Sequence, residues 1–256
     1  MDIIINPMLN VLLLVYDLLG NNFGIAIIVF TILIRLLTYP LTASSLKSTQ
    51  KMQELQGSKK WKDLEKRYKD DKQKLQEEQL KLYREIGFNP LSGCLPTLIQ
   101  FPIIIGLYQA IIKVMASTPM SILDLSDRLY SFVSSSLIPV GDKFLWMDLG
   151  QPERLQFDFL NGLPIIGNGI PVLAIIVVIT SWLSTRTMSS ASTEGQGAQM
   201  TQMMGIYMPL LMGWLAYSYA SGLALYFVVS NILGIIQNMI MRGIHVRELI
   251  PFRRKE

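Results

Sequence analysis

The residue whose type and position point most clearly to a function is Arg35. It is a lone cation inside the apolar run FGIAIIVFTILIRLLTYPLT from Phe23 to Thr42. A run of this length is what a helix needs to cross a hydrocarbon core of roughly 30 Å. A guanidinium this deep costs at least about 2.5 to 3.5 kcal/mol by insertion scales. The run contains no Asp or Glu that would offset the charge. The sequence therefore predicts that Arg35 meets either another buried polar group or water.

Three threonines share a helix face with Arg35. Thr31, Thr38 and Thr42 lie four residues before it and three and seven residues after it, which is the spacing of one helix face. One alternative is that Arg35 snorkels to the interface, as long basic side chains near span ends do. Its depth argues against this and favours a functional role. A water-filled groove that opens to the cytoplasm would accommodate the charge.

Other polar side chains also lie inside apolar segments. Gln100, with Thr97 three residues earlier on the same helix face, is the best candidate for the opposite wall of such a groove. Ordinary interhelical hydrogen bonds are the alternative, and both interpretations stay open. Trp214 belongs to an outer aromatic belt or faces inward. The last apolar segment contains five polar residues that serve one of the same two purposes, with packing favoured: Tyr226, Ser230, Asn231, Gln237 and Asn238.

Catalytic and metal chemistry find little support in the sequence. The motifs HExxH and GxSxG and a phosphate-binding glycine loop are all missing. A single cysteine, Cys94, and a single histidine, His245, are too few for a metal site of soft ligands. Coupled transport usually needs carboxylates within the membrane or inverted repeats, and the sequence offers neither. We therefore expect a protein that is not an enzyme and needs no cofactor or metal.

The charge distribution predicts a membrane topology. The chain is 50% apolar and only 16% charged, which is typical of a membrane protein with a separate charged segment. Residues 43–92 contain twelve Lys or Arg and eight Asp or Glu, whereas residues 116–164 contain three and six. Basic loops stay in the cytoplasm. The sequence therefore predicts an external N-terminus, an odd number of spans and a cytoplasmic C-terminus.

Apolar runs and polar punctuation divide the chain into segments that would position these residues. Asn6 and Pro7 predict the start of a first helix, and Gly57 with Ser58 predict a break within the polar helices that follow the first span. The predicted segments are an outer interfacial helix (1–22), transmembrane 1 (23–42), a cytoplasmic helical hairpin (43–92), transmembrane 2 (93–115), an external segment (116–168), transmembrane 3 (169–187), a cytoplasmic loop (188–200), transmembrane 4 (201–218), transmembrane 5 (222–241) and a basic cytoplasmic tail (242–256).

From Gly24 to Arg242 the sequence resembles the YidC/Oxa1/Alb3 family of membrane protein insertases. Three stretches carry the resemblance: ILIRLLTYPLT with Arg35, DDKQKLQEEQLKLYREIGFNPLSGCLPTLIQFPIIIGLYQAI with Gln100, and GLALYFVVSNILGIIQN with Asn231. The resemblance implies an all-α membrane protein, a short form with five spans around a hydrophilic groove. That groove would be open to the cytoplasm and closed outside.

The same resemblance implies roles for particular residues. In the family, the residues that match Arg35 and Gln100 line the groove. Those that match Thr31 and Phe227 belong to the surface along which a nascent span slides, and Phe227 stands where some relatives have tyrosine. With Thr97, Trp214 and Asn231, these residues form the predicted substrate-binding groove.

The resemblance also implies a function and partners. We expect an insertase in the bacterial cell (inner) membrane that moves nascent transmembrane segments and short polar N-terminal tails from the cytoplasm into the bilayer. Its partners would be nascent membrane proteins and phospholipids, with the ribosome, the signal recognition particle pathway and the Sec translocon as further candidates, and no DNA. The alternatives are a channel or transporter, or a folding chaperone for spans that are already inserted.

Overall fold

The structure is a computed structural model that describes residues 2–68, 71–85, 91–115, 118–131, 133, 137, 140–155, 169–188 and 196–242. Helices make up most of these residues, and two short strands form a hairpin. The elements in chain order are α1 (Asp2–Leu18), α2 (Phe23–Gly57), α3 (Lys59–Arg67), α4 (Lys72–Glu85), α5 (Leu91–Val114), α6 (Pro119–Asp127), β1 (Lys143–Phe144), β2 (Met147–Asp148), α7 (Val172–Met188), α8 (Gln196–Ser218) and α9 (Ser221–Arg242).

The prediction that the first helix starts at Asn6 and Pro7 is wrong. Helix α1 begins at Asp2, and Pro7 lies inside it, close enough to the start that few intrahelical bonds are lost. Asn6 is used for tertiary contacts instead of capping. Its side-chain oxygen accepts a 3.3 Å hydrogen bond from Arg128, and Asn10, one turn further along α1, donates a 2.9 Å bond to the Arg128 carbonyl. Asn6, which suggested a helix start, thus joins Asn10 in holding α1 against the segment after α6.

Charged side chains join α1 to α5 and α6. Arg128 donates hydrogen bonds to Asp2 at 2.8 Å and to Asp124 at 3.1 Å, and Lys113 donates to Asp124 at 2.9 Å. The bonds from Lys113 and Arg128 lower the pKa of the Asp124 carboxyl. Exposed pairs of this kind contribute little to stability. The packing of α1 therefore depends mainly on its fully buried leucines, which are Leu9, Leu12 and Leu13.

A tight turn leads from α1 into a long second helix. Gly20 and Asn21 both have positive φ, at 70° and 61°, and Asn22 caps α2 by accepting a hydrogen bond from the Ile25 N–H. Helix α2 then continues for 35 residues, so the predicted first span and the start of the predicted hairpin form one helix. The predicted break is confirmed, because α2 ends at Gly57 and Ser58 caps α3.

Helices α3 and α4 pack against each other through aromatic and aliphatic side chains. Trp61 of α3 is buried, and its ring lies 5.7 Å from that of Tyr83 in α4. Leu75 and Leu82 of α4 are also buried. These four residues hold the two predicted arms of the hairpin together.

The apolar helices α2, α5, α7, α8 and α9 form the rest of the fold. Of the helices within the described residues, Phe23–Gly57 and Ser221–Met241 are long and apolar enough to cross a membrane, and Leu98–Val114 and Val172–Thr187 are shorter apolar helices. Helix α8 begins at Gln196, five residues before the predicted start of the fourth span. A Cβ placed on Gly213 of α8 would lie 2.2 Å from Val178 of α7, so glycine allows these two helices to approach closely.

Residues 141–155 pack over one end of the helices, the end at which α2, α7 and α9 begin. Phe144 of β1 covers Gly24, where an added Cβ would lie 2.1 Å from its ring. The Ser221 hydroxyl donates a 2.7 Å hydrogen bond to the Asp148 carbonyl, and the Gly222 N–H donates one of 3.0 Å to the Leu149 carbonyl. Carbonyl groups of this segment therefore accept hydrogen bonds from the first residues of α9, and the segment covers that end of the helices.

Candidate functional site

The Arg35 guanidinium is partly buried between α2 and α9, where it bonds to one residue. Its Nε donates to the Ser230 hydroxyl at 3.1 Å, and its Nη2 donates to the same hydroxyl at 2.8 Å and to the Ser230 carbonyl at 2.6 Å. Ser230 is itself buried. Among the described residues Arg35 has no carboxylate partner. Neutral oxygens thus hold the cation in place, and its charge is left uncompensated.

The outer edge of the same guanidinium is free for a further ligand. Within the part of the chain that the structure describes, Nη1 has no hydrogen-bond partner, so its two N–H groups stay available. Gly234, one turn after Ser230, lies against the guanidinium. A Cβ on Gly234 would approach Nη2 to 3.2 Å, so glycine leaves the space that the cation occupies.

Gln100 of α5 also points to α9. Its Nε2 donates a 2.6 Å hydrogen bond to the hydroxyl of Tyr226, a residue that is 1% exposed. The interhelical hydrogen bond that the sequence left open for Gln100 is therefore present. Tyr226 and Ser230 are four residues apart on one face of α9. Through these two residues, Gln100 and Arg35 converge on the same strip of α9.

Two of the predicted residues of the sliding surface are buried. Thr31 lies one turn before Arg35, is fully buried, and donates its hydroxyl to the Ile27 carbonyl at 2.6 Å. Phe227 is 4% exposed, and its ring lies 5.8 Å from that of Tyr226. Both residues thus pack in the core next to the site. A contact with a nascent span stays a prediction for each of them.

Asn231 faces away from Arg35, toward α7. Its amide donates to Ser181 at 2.7 Å and to Thr180 at 3.2 Å. Seven residues further along α9, Asn238 donates to Thr187 at 3.0 Å. This ladder fixes the rotation of α9 against α7. Asn231 therefore helps to orient the face that carries Ser230, and groove lining by Asn231 stays a prediction.

Comparisons with known proteins agree with the resemblance in the sequence. Residues 14–248 match the family model described as 60Kd inner membrane protein. The chain belongs to this family. Among its members, the chain is 35% identical to the membrane protein insertase YidC 2 of Listeria innocua over 93% of this chain and 68% of that protein. It is 32% identical to the insertase MisCA of Bacillus subtilis over 96% and 80%.

Similarity within the 60Kd inner membrane protein family extends to chloroplasts and to a solved structure. The chain is 31% identical to the inner membrane protein ALBINO3 of Arabidopsis thaliana, over 86% of this chain and 46% of that protein. It matches the crystal structure described as an active YidC insertase with a TM-score of 0.55 at 29% identity. The match covers 90% of this chain and 44% of that one.

Trp214 and Thr97 are the two remaining predicted residues of the groove. Trp214 of α8 is 59% exposed, so its side chain lies on the surface of the described structure. Thr97 is part of α5, but its side chain is outside the described residues. For Thr97 and Trp214, groove lining stays a prediction.

Sequence reasoning named Tyr226, Ser230 and Gln237 among five polar residues of the last apolar segment but favoured packing for them, and it did not name Gly234. Tyr226, Ser230 and Gly234 follow one another at intervals of four, and Gln237 comes three residues later. This is the repeat of one helix face. The repeat was a usable signal, because a face with a hydroxyl, a second hydroxyl, a glycine and an amide is unusual in an apolar helix.

Proposed function

We propose that this protein is a membrane insertase that moves nascent transmembrane segments and short polar N-terminal tails from the cytoplasm into the bilayer. The observation that carries the proposal is the Arg35 guanidinium, which neutral Ser230 oxygens hold in an apolar helix pair, with Nη1 left without a partner among the described residues. The names of the relatives, insertases in Listeria and Bacillus, support the same function.

Arg35 acts on the polar tail by electrostatic attraction. An acidic group at about 4 Å from the cation gains on the order of 4 kcal/mol in an effective dielectric near 20, and desolvation subtracts from this. The attraction lowers the cost of carrying a polar tail part of the way across. The following apolar segment then leaves water for lipid, and its burial supplies the net driving force.

The proposed architecture consists of five spans formed by the apolar parts of α2, α5, α7, α8 and α9, around a hydrophilic groove that is open to the cytoplasm. Residues 141–155 cover the end at which α2, α7 and α9 begin. This arrangement supports closure on the outside. The protein would lie in the bacterial cell (inner) membrane with its N-terminus outside and its C-terminus in the cytoplasm, as the charge distribution predicts.

The helices α3 and α4 are proposed to recruit the substrate or its delivery machinery. The cleft between them has a volume of about 760 Å³ and is lined by charges of both signs, among them Lys60, Arg67, Glu78 and Glu85. Such a surface fits a polar protein partner. The ribosome, the signal recognition particle pathway and the Sec translocon are candidates, together with the nascent chain itself.

Reconstitution into liposomes tests the function against its rivals. We expect purified protein to raise insertion of a substrate with an acidic N-terminal tail several-fold over empty liposomes, without a matching flux of small solutes. A channel or transporter would produce solute flux or single-channel conductance instead. A chaperone that acts after insertion would leave the inserted fraction at the level of empty liposomes, which would contradict the proposal.

A further inference from the structure

Gln237 of α9 has an unsatisfied amide. Its Nε2 atom is buried and has no hydrogen-bond partner, and it is the only such side-chain atom recorded for the described residues. An unsatisfied buried donor costs about 1 to 3 kcal/mol, and native structures contain few of them. This free-energy cost suggests that a hydrogen-bond acceptor reaches the Gln237 amide at some stage of the protein's functional cycle.

Gln237 lies on the face of α9 that contacts Arg35. It follows Ser230 by seven residues, which is two helical turns, and Gly234 by three. Its neighbour Asn238 points to Thr187 of α7 on another side of the helix. Gln237 is therefore placed on the α2 side of α9 and is separate from the ladder that joins α9 to α7.

The register of α2 and α9 places Gln237 beyond Arg35 in the direction of the cytoplasm. A Cβ on Gly222 would lie 3.1 Å from Ile27, and Arg35 bonds to Ser230, so eight residues separate the two contacts in each helix. The two helices therefore run parallel. Seven residues further on, Gln237 is level with Thr42, whose hydroxyl donates to the Thr38 carbonyl of its own helix.

We propose that Gln237 is a second contact for the entering polypeptide, met before Arg35. This inference rests on the proposed insertase function. The Nε2 donor takes an oxygen acceptor of the entering segment when that segment separates α2 from α9. The acceptor is either a backbone carbonyl or a side-chain carboxylate. Gln237 thus extends the polar strip of Tyr226 and Ser230 toward the side from which the segment comes.

The experiment combines insertion and stability measurements on Gln237→Met and Gln237→Glu in liposomes of phosphatidylethanolamine and phosphatidylglycerol. Methionine keeps the length of the side chain and removes the unsatisfied amide. We therefore expect an unfolding midpoint that is unchanged or higher, together with a two- to tenfold lower insertion rate, which is about the net contribution of one hydrogen bond. Ile236→Met, which alters an exposed neighbour, should change neither quantity.

Two substrates distinguish the possible acceptors. A loss with both an acidic and a neutral polar tail supports a backbone carbonyl. A loss confined to the acidic tail supports a carboxylate, and Gln237→Glu should then be worse than Gln237→Met because glutamate repels that group. Unchanged insertion by Gln237→Met overturns the inference, as does a loss that comes with a lower unfolding midpoint. Arg35→Glu, measured in parallel, reports separately on the proposed function.

Discussion

Arg35→Glu should reduce insertion of substrates with acidic N-terminal tails by about tenfold or more. The change replaces attraction by repulsion at a site where one contact is on the order of 4 kcal/mol before desolvation, and a tenfold loss needs only about 1.4 kcal/mol of this. A substrate with lysines in its tail should be inserted better by Arg35→Glu than by Arg35→Ala. Insertion rates in proteoliposomes, measured for acidic, neutral and basic tails, provide the comparison.

Two variants control for charge and for position. Arg35→Lys keeps the charge but loses the planar donor set that binds both Ser230 oxygens, so we expect a milder loss. Arg186→Glu reverses an exposed cation that lies 5.0 Å from the Trp182 ring in α7. It should leave the tail preference unchanged. Equal rates for wild type and Arg35→Glu on the acidic tail would contradict the electrostatic step.

Glu153→Ala should cause the largest loss of stability among single changes at the covered end of the helices. Glu153 is buried, accepts a 3.1 Å hydrogen bond from the Trp146 indole and a 3.0 Å bond from the Leu173 N–H in the first turn of α7. Alanine leaves the buried Leu173 N–H without this acceptor, at about 1 to 3 kcal/mol. The Trp146 indole loses the same acceptor, but Trp146 is 53% exposed and its N–H can bond to water at little cost. The substitution also removes a negative charge from the start of a helix, where it is favourable.

Unfolding of purified protein in detergent measures this effect. Glu153→Gln keeps one acceptor oxygen and nearly the same shape, so its midpoint should lie between those of wild type and Glu153→Ala. Gln151→Ala removes an exposed side chain two residues away and should have little effect. If Glu153→Ala unfolds at the same temperature as wild type, the carboxylate does not hold this segment to α7.

The helices were largely predictable because long apolar runs leave few alternatives. The run that begins at Phe23 and the break at Gly57 and Ser58 correspond to element boundaries in the structure. The start of α1 was not predictable from Asn6 and Pro7, because Arg128, 122 positions away, donates a hydrogen bond to the Asn6 side chain. A capping residue and a residue used for tertiary contacts look the same in one sequence.

The site was predictable on one side only. Arg35 stood out because a charge inside an apolar run has a high free-energy cost, which requires a physical reason. Its partner Ser230 was only one of five polar residues named in the last apolar segment. The sequence did not show which of them meets Arg35, because successive helix residues point in directions about 100° apart. Ser230 therefore faces α2 while Asn231 faces α7. Which neighbour lies on which side of α9 depends on packing, and the order of residues within one helix does not contain that information.

The most direct test of the central claim, that a nascent segment passes along the face of α9 beside Arg35, is photo-cross-linking to a stalled nascent chain. A photoreactive residue at position 100 lies on that side, and one at position 238 faces α7. We expect cross-links to an acidic-tailed nascent chain from position 100 and few from position 238. Efficient insertion without cross-links from position 100, or equal yields from both positions, would contradict the account.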